Sequence, residues 1–188
     1  QLFNADLIII SRARYNVSTE QRFPRTILSQ AASVNQVAAC AGVCVERGTA
    51  AIQVEGHRSH PIRVIAMPLV AEFFSDQHLY NRLVTADRQN AGLLDRRSKD
   101  VYGFASTIDA MRSQHIELNK KQLQLDGQFS LGTDFAHDGT VLISQRMLPE
   151  YFPWRNQNGD PLGVIDIGLV KAKPNADLLE LCTQIRRL

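Results

Sequence analysis

The sequence predicts an α+β fold in which a helix-rich N-terminal two thirds packs on a C-terminal antiparallel hairpin sheet. Over most of the chain before residue 118, apolar residues recur at spacings of three and four, which is the helical period. Beyond it they alternate at every second position, which is the period of strands. Asp138-Gly139 separates two of these alternating runs, as a tight hairpin turn would. We expect residues 1–188 to form a single domain, because this length is ample for one core.

The first part of the chain predicts one strand, one long helix and a hairpin. Residues 5–11 are short and β-branched, which favours a buried strand. Apolar residues spaced by three and four predict a helix over 24–47, which Gly48 would end. Two β-like runs, 49–54 and 62–66, flank a polar turn and predict a hairpin.

Two further helices are predicted in the middle of the chain. The pattern is helical again over 68–89, where Asp76 is a candidate N-terminal cap. A second helical stretch follows over 98–115, although a glycine interrupts it. Together with the helix over 24–47, these segments are the reason for predicting a helix-rich first two thirds.

The last third predicts strands, one long loop and a closing helix. Alternating apolar residues predict strands on both sides of the Asp138 turn. Prolines and glycine make 147–162 an irregular surface loop. Residues 163–170 alternate as another strand, and Asn175 is expected to cap a final helix.

Composition excludes few functions. The net charge of +2 is too small to indicate a nucleic-acid partner, and carboxylates interrupt the basic runs, so nucleic-acid binding is not favoured. Three cysteines cannot all pair within the chain, which favours a reducing compartment and a soluble, cytoplasmic protein. No window approaches the length of a membrane span.

Two turns carry the residues of a candidate metal site. His57 and His60 lie in one polar turn, and Asp134, His137 and Asp138 lie in another. Imidazole and carboxylate oxygen are ordinary ligands of zinc or manganese, so a metal-dependent hydrolase is one hypothesis. Turn geometry alone also explains aspartate, glycine and histidine at these positions. Neither a metalloprotease motif nor a nucleotide or dinucleotide fingerprint occurs, so no cofactor and no reaction is indicated.

An aromatic loop gives the leading functional hypothesis. Tyr151, Phe152 and Trp154 are concentrated around a proline and are followed by Arg155. Such rings offer a large contact area at low entropic cost, so the loop and the adjoining sheet are expected to contact a protein partner or a small ligand. The alternative is that the rings fold back and cover the sheet. The sequence thus favours a non-enzymatic binding or assembly domain over a hydrolase, and it does not indicate an oligomeric state.

Overall fold

The computed structural model describes residues 2–12, 21–131, 138–156 and 159–188. Within these ranges strands predominate over helices. They are β1 (Leu7–Ile9), β2 (Phe23–Pro24), β3 (Val37–Glu46), β4 (Ala51–Val54), β5 (His60–Pro61), β6 (Arg63–Met67), β7 (Ala91–Asp95), β8 (Ile116–Leu118), β9 (Lys121–Gln122), β10 (Gln124–Phe129), β11 (Thr140–Ser144), β12 (Val164–Ile165) and β13 (Ile167–Ala172).

The helices are short. The α-helices of the described residues are α1 (Thr26–Ala32), α2 (Gln77–Arg88), α3 (Ile108–Arg112), α4 (Leu148–Tyr151) and α5 (Leu178–Ile185), and 3-10 helices lie at Ala71–Phe73, Asp100–Tyr102, Gln145–Met147 and Pro153–Asn156. Asp76 caps α2 by accepting a hydrogen bond from the backbone N–H of His78, as predicted. Asp177, rather than Asn175, caps α5.

A mixed seven-stranded sheet forms the centre of the molecule. Its order is β1-β13-β3-β6-β11-β7-β10, with the pairs β6–β11 and β7–β10 parallel and the remaining pairs antiparallel. Every residue of β6, β7 and β11 is buried. Strands covered on both faces read as continuous apolar runs, and this is how these three appear in the sequence.

Each face of the large sheet has its own cover. On one face, α2 buries Leu79 and Leu83 against the strands. On the other face lies a four-stranded sheet of order β5-β4-β8-β9, whose Ile52 and Leu118 share a core with Val64 of β6. A two-stranded pair, β2 with β12, completes the described sheets.

The predicted fold class is wrong, because the chain is sheet-dominated from its first third onward. Of the helix predicted over 24–47, only α1 is helical, and Val37–Glu46 forms a central strand instead. This strand pairs with β13 on one side and with β6 on the other. Because it is buried on both faces along its second half, its apolar residues do not alternate, and their spacing imitates a helix.

The predicted C-terminal hairpin is also wrong. β10 and β11 do not pair with each other, because β7 lies between them. The strands predicted over 49–54 and 62–66 exist, but β4 pairs with β5 and β8, whereas β6 joins the large sheet. The strand predictions over 5–11 and 163–170 are confirmed by β1 and by β12 with β13.

Two facing glycines bring α1 close to the large sheet. Gly42 of β3 and Gly168 of β13 are register partners. A Cβ atom at Gly168 would lie 2.7 Å from Leu28 Cδ2, and one at Gly42 would lie 3.3 Å from Leu28 Cδ1. Because neither glycine has a side chain, Leu28 of α1 occupies the space above both of them and is buried in the core.

Candidate functional sites

The aromatic loop is largely part of the core. Tyr151 and Phe152 are buried in the cluster that joins the two sheets. The Tyr151 hydroxyl donates to the carbonyl of Gln122 at 3.0 Å, and burial raises the pKa of this tyrosine to about 12. Trp154 is 36% exposed and packs edge-on against Phe152, with ring centroids 5.4 Å apart. Of the three aromatic side chains in this loop, Trp154 is therefore the one available to a partner.

Arg155 is not a surface residue. Its guanidinium is fully buried, and it donates to Glu46 at the end of β3 and, at 2.8 Å, to Asp166 between β12 and β13. Arg22 contacts the same two carboxylates, at 2.8 Å from Glu46 and 3.7 Å from Asp166. These four residues form a buried ionic cluster, in which two guanidinium groups face two carboxylates.

Sequence reasoning missed the carboxylates of the ionic cluster, although a signal was present. Glu46 follows Val43-Cys44-Val45, and Asp166 stands between Ile165 and Ile167, so each charge lies within or beside an apolar run. A charge in such a position is buried only when it is paired. Arg155 in the aromatic loop was the available partner. The ionic cluster thus anchors the loop to the large sheet.

Cys44 lies beside the ionic cluster, and its thiol is not activated. Burial raises the pKa of its thiol to about 11, and Arg155 opposes this shift only partly. Burial also raises the pKa of Cys40 to about 11. Both thiols are therefore protonated near neutral pH, and neither is an activated nucleophile.

The described residues of the predicted metal site lie near one short helix. Tyr102 of the 3-10 helix Asp100–Tyr102 donates from its hydroxyl to Pro61 O at 2.8 Å, and the N–H of Lys99, just before this helix, donates to Asp138 O at 2.8 Å. Yet the side chains are engaged separately. His60 packs edge-on against the Tyr102 ring, and Asp138 pairs with Lys99 Nζ at 2.6 Å.

No group of three metal-binding side chains occurs within residues 2–12, 21–131, 138–156 and 159–188. His57 lies against the backbone of Gly103, where a positive φ of 75° and the absence of a Cβ make room for the imidazole. Asp134 and His137 lie outside the described residues. The described part of the chain therefore gives the hydrolase hypothesis no support.

One cavity could hold a small ligand. It has a volume of about 320 Å³, lies over the face of the large sheet that α2 covers, and is lined mainly by apolar side chains including Val45 and Ile65. Arg47 and Arg63 contribute positive charge to the lining. Arg63 donates two hydrogen bonds to Thr140 Oγ1, at 3.0 and 2.7 Å. The lining indicates no particular ligand.

No helix in the described ranges is both long enough and apolar enough to cross a membrane. No protein-family model matches the chain. No curated protein sequence matches it either.

Solved structures, in contrast, share its fold. The periplasmic region of MacB from Actinobacillus actinomycetemcomitans superposes with a TM-score of 0.57 at 11% identity, covering 99% of this chain and 79% of that one. The extracellular domain of the noncanonic ABC-type transporter YknZ from Gram-positive bacteria superposes with a TM-score of 0.53 at 10% identity, covering 99% of this chain and 90% of that one.

These comparisons contradict the predicted cytoplasmic location, because both solved domains lie outside the cytoplasm. At such low identity the likeness concerns the fold alone. The chain therefore has the fold of the MacB periplasmic region and of the YknZ extracellular domain.

Proposed function

We propose that this chain is an extracytoplasmic domain of an ABC-type transport protein and that it acts by binding another protein. The observation that carries the proposal is the superposition of 99% of the chain on the MacB periplasmic region and on the YknZ extracellular domain. YknZ is a noncanonic ABC-type transporter, and the shared fold supports the same setting for this chain by analogy.

The described residues show no evident reaction centre, which agrees with a binding role. The thiols of Cys40 and Cys44 are held protonated by burial, and His60 and Asp138 are separately engaged. We treat residues 1–188 as one domain, because Ile52 of the small sheet and Val64 of the large sheet belong to the same core.

Trp154 supplies a candidate contact for the partner. Its neighbours Phe152 and Arg155 are buried, so the indole is held on a rigid base while part of its ring remains exposed. A half-exposed tryptophan on a fixed backbone is a typical anchor of protein interfaces.

A membrane-impermeant, thiol-reactive cross-linker applied to intact cells tests location and binding together. Trp154→Cys is placed in a Cys40→Ser/Cys182→Ser background, in which the remaining Cys44 is fully buried. We expect the new thiol to react from outside and to yield an adduct with a second protein.

Arg88→Cys in the same background is the matched control, because Arg88 is exposed on α2 at the opposite face of the large sheet. It should react with the reagent but give no adduct, or a different one. Failure of both thiols to react in intact cells, with reaction only after lysis, would refute the extracytoplasmic location. Reaction of both without any adduct would refute the Trp154 contact.

A further inference from the structure

An open groove runs beside β1, the edge strand of the large sheet. Its volume is about 1080 Å³. β1 is at the end of the strand order, and among the described residues it pairs with β13 alone. Its other edge therefore faces the groove without a partner strand from the described part of the chain.

The lining shows that the groove follows the edge of the strand. The four consecutive residues 7–10 all contribute to it. Since successive side chains of a strand point to opposite faces, a groove touched by consecutive residues runs along the edge instead of lying over one face. The backbone of β1 is thus accessible together with its side chains.

The groove is apolar and unusually exposed for an edge strand. Ile8 is 57% exposed and Ile10 is 48% exposed. Cys182 and Ile185 of α5 also line the groove, and Ile185 packs against the same hydrophobic cluster as Leu7 and Ile9. Edge strands with exposed isoleucines attract other strands, and soluble proteins usually cover or charge them.

The described residues of the groove carry charge of a single sign. Arg12, Arg186 and Arg187 line it, all three are exposed, and no aspartate or glutamate is among its described lining residues. Arg12 donates to the carbonyl of Arg186, which holds the end of β1 against the end of α5. The three guanidinium groups therefore belong to one end of the groove, where they favour an anionic occupant.

We propose that this groove binds an extended acidic segment of a partner protein, which adds to the edge of β1 as an eighth strand of the large sheet. Its apolar side chains would lie between β1 and α5, and its carboxylates would meet the three arginines. This inference rests on the protein-binding role in the proposed function, but it requires neither the transporter setting nor the Trp154 contact.

Two other occupants fit the groove less well. A second copy of the chain that paired through β1 would present the same described lining, which offers no carboxylate to the three arginines. An anionic lipid surface would satisfy the arginines, but it would leave the backbone groups at the edge of β1 without ordered partners, and a concave groove fits a strand better than a flat membrane.

Peptide binding to the 188-residue chain tests the proposal. The probe is a short fluorescent peptide with a β-branched apolar core and glutamates at both ends, and its counterpart carries lysines in place of the glutamates. We expect the acidic peptide to bind at least about tenfold more tightly than the basic one, because the guanidinium groups discriminate by charge. Equal binding of the two peptides, or no binding of the acidic one, would overturn the proposal.

Backbone methylation distinguishes strand addition from other modes. Two versions of the acidic peptide are N-methylated at alternate residues, one at the odd and one at the even positions. An added strand presents only one set of its amides to β1, so one version should lose binding while the other retains it. Loss in both versions or in neither would overturn the strand addition.

Variants of the chain locate the binding. Arg186→Glu/Arg187→Glu and, separately, Ile8→Asp should each weaken acidic-peptide binding about tenfold, while circular dichroism remains unchanged because these side chains are exposed. Lys120→Glu/Lys121→Glu, at exposed positions by β9, is the charge-matched control and should bind normally. A control that weakens binding as much as the groove variants would overturn the location.

The same assay also tests the two competing occupants, an anionic lipid surface and a second copy of the chain. Binding to phosphatidylglycerol vesicles that competes fully with the peptide, or a dimer abolished by Ile8→Asp, would overturn the proposal in favour of lipid or of a second copy. If the acidic peptide does not bind, but the impermeant cross-linker still reaches the chain in cells and joins it to a second protein, the groove proposal is refuted and the proposed function is retained.

Discussion

At the scale of single residues, Arg155 determines how the C-terminal loop is attached. Its guanidinium is fully buried and binds Glu46 and Asp166, two carboxylates brought together from distant parts of the chain. It also donates to the carbonyl of Val164 at 3.1 Å. Without Arg155, the two buried carboxylates would retain only Arg22, whose side chain is 26% exposed, and incomplete compensation of buried charge costs more than an intact pair contributes.

We therefore expect Arg155→Met to lower the free energy of unfolding by about 3–5 kcal/mol, measured by urea denaturation. Lys99→Met is the control, because the Lys99–Asp138 pair is largely exposed and should change stability by about 0–1 kcal/mol. Equal effects of the two substitutions would contradict the account of the ionic cluster.

Residue-level reading of the sequence located polar and aromatic residues but not their environment. The concentration of rings around Trp154 was evident, yet both the exposed and the packed interpretation fitted it. The decision came from Glu46, which lies more than a hundred positions earlier and requires Arg155 as its partner. The apolar run before Glu46 indicates a buried charge but does not identify its partner, so the sequence did not show that the predicted contact residues Tyr151, Phe152 and Arg155 lie in the core.

At the scale of elements, a pair of glycines determines where α1 can lie. Gly42 and Gly168 face each other across β3 and β13, and Leu28 fills the space above them. Small residues precede Val43 in the segment whose spacing predicts a helix. They belong to the strand, and the helix lies above it.

Gly168→Ala should lower the free energy of unfolding by about 1–3 kcal/mol, because its Cβ would overlap Leu28 Cδ2. Leu28→Ala should cost about 2–5 kcal/mol alone and clearly less in the Gly168→Ala background, where the smaller side chain relieves the overlap. Gly48→Ala is the control, since nothing lies within 4 Å of its Cβ position. If Gly168→Ala is as well tolerated as Gly48→Ala, the account of this contact is wrong.

Element predictions succeeded where the signal was local. The strand β1 is a short β-branched run, and α2 begins at a side-chain cap that the sequence displays. They failed for β3 and β7, which are buried between neighbours distant in sequence. A two-sided strand has no polar face, so its sequence lacks the alternation by which strands are recognised.

At the scale of the whole molecule, strand order could not be obtained from the sequence. Asp138-Gly139 lies between β10 and β11 in the sequence, as a hairpin turn would. In the sheet, however, β7, from nearly fifty residues earlier, separates these two strands. Insertion of a distant strand depends on long-range packing, which local turn chemistry does not encode. The functional proposal depends on this order, because the superposition with extracytoplasmic transporter domains and the free edge of β1 both follow from it.

The most direct test of this architecture is the pattern of short proton–proton distances around Val37–Glu46 in an NMR spectrum of the chain. We expect contacts across strands, from Cys40 to Val170 and from Cys44 to Ala66, as the pairing with β13 and β6 requires. An unbroken series of contacts between residues three apart through 37–46, with no contact to 167–172, would show a helix there and would contradict both the fold and the functions proposed from it.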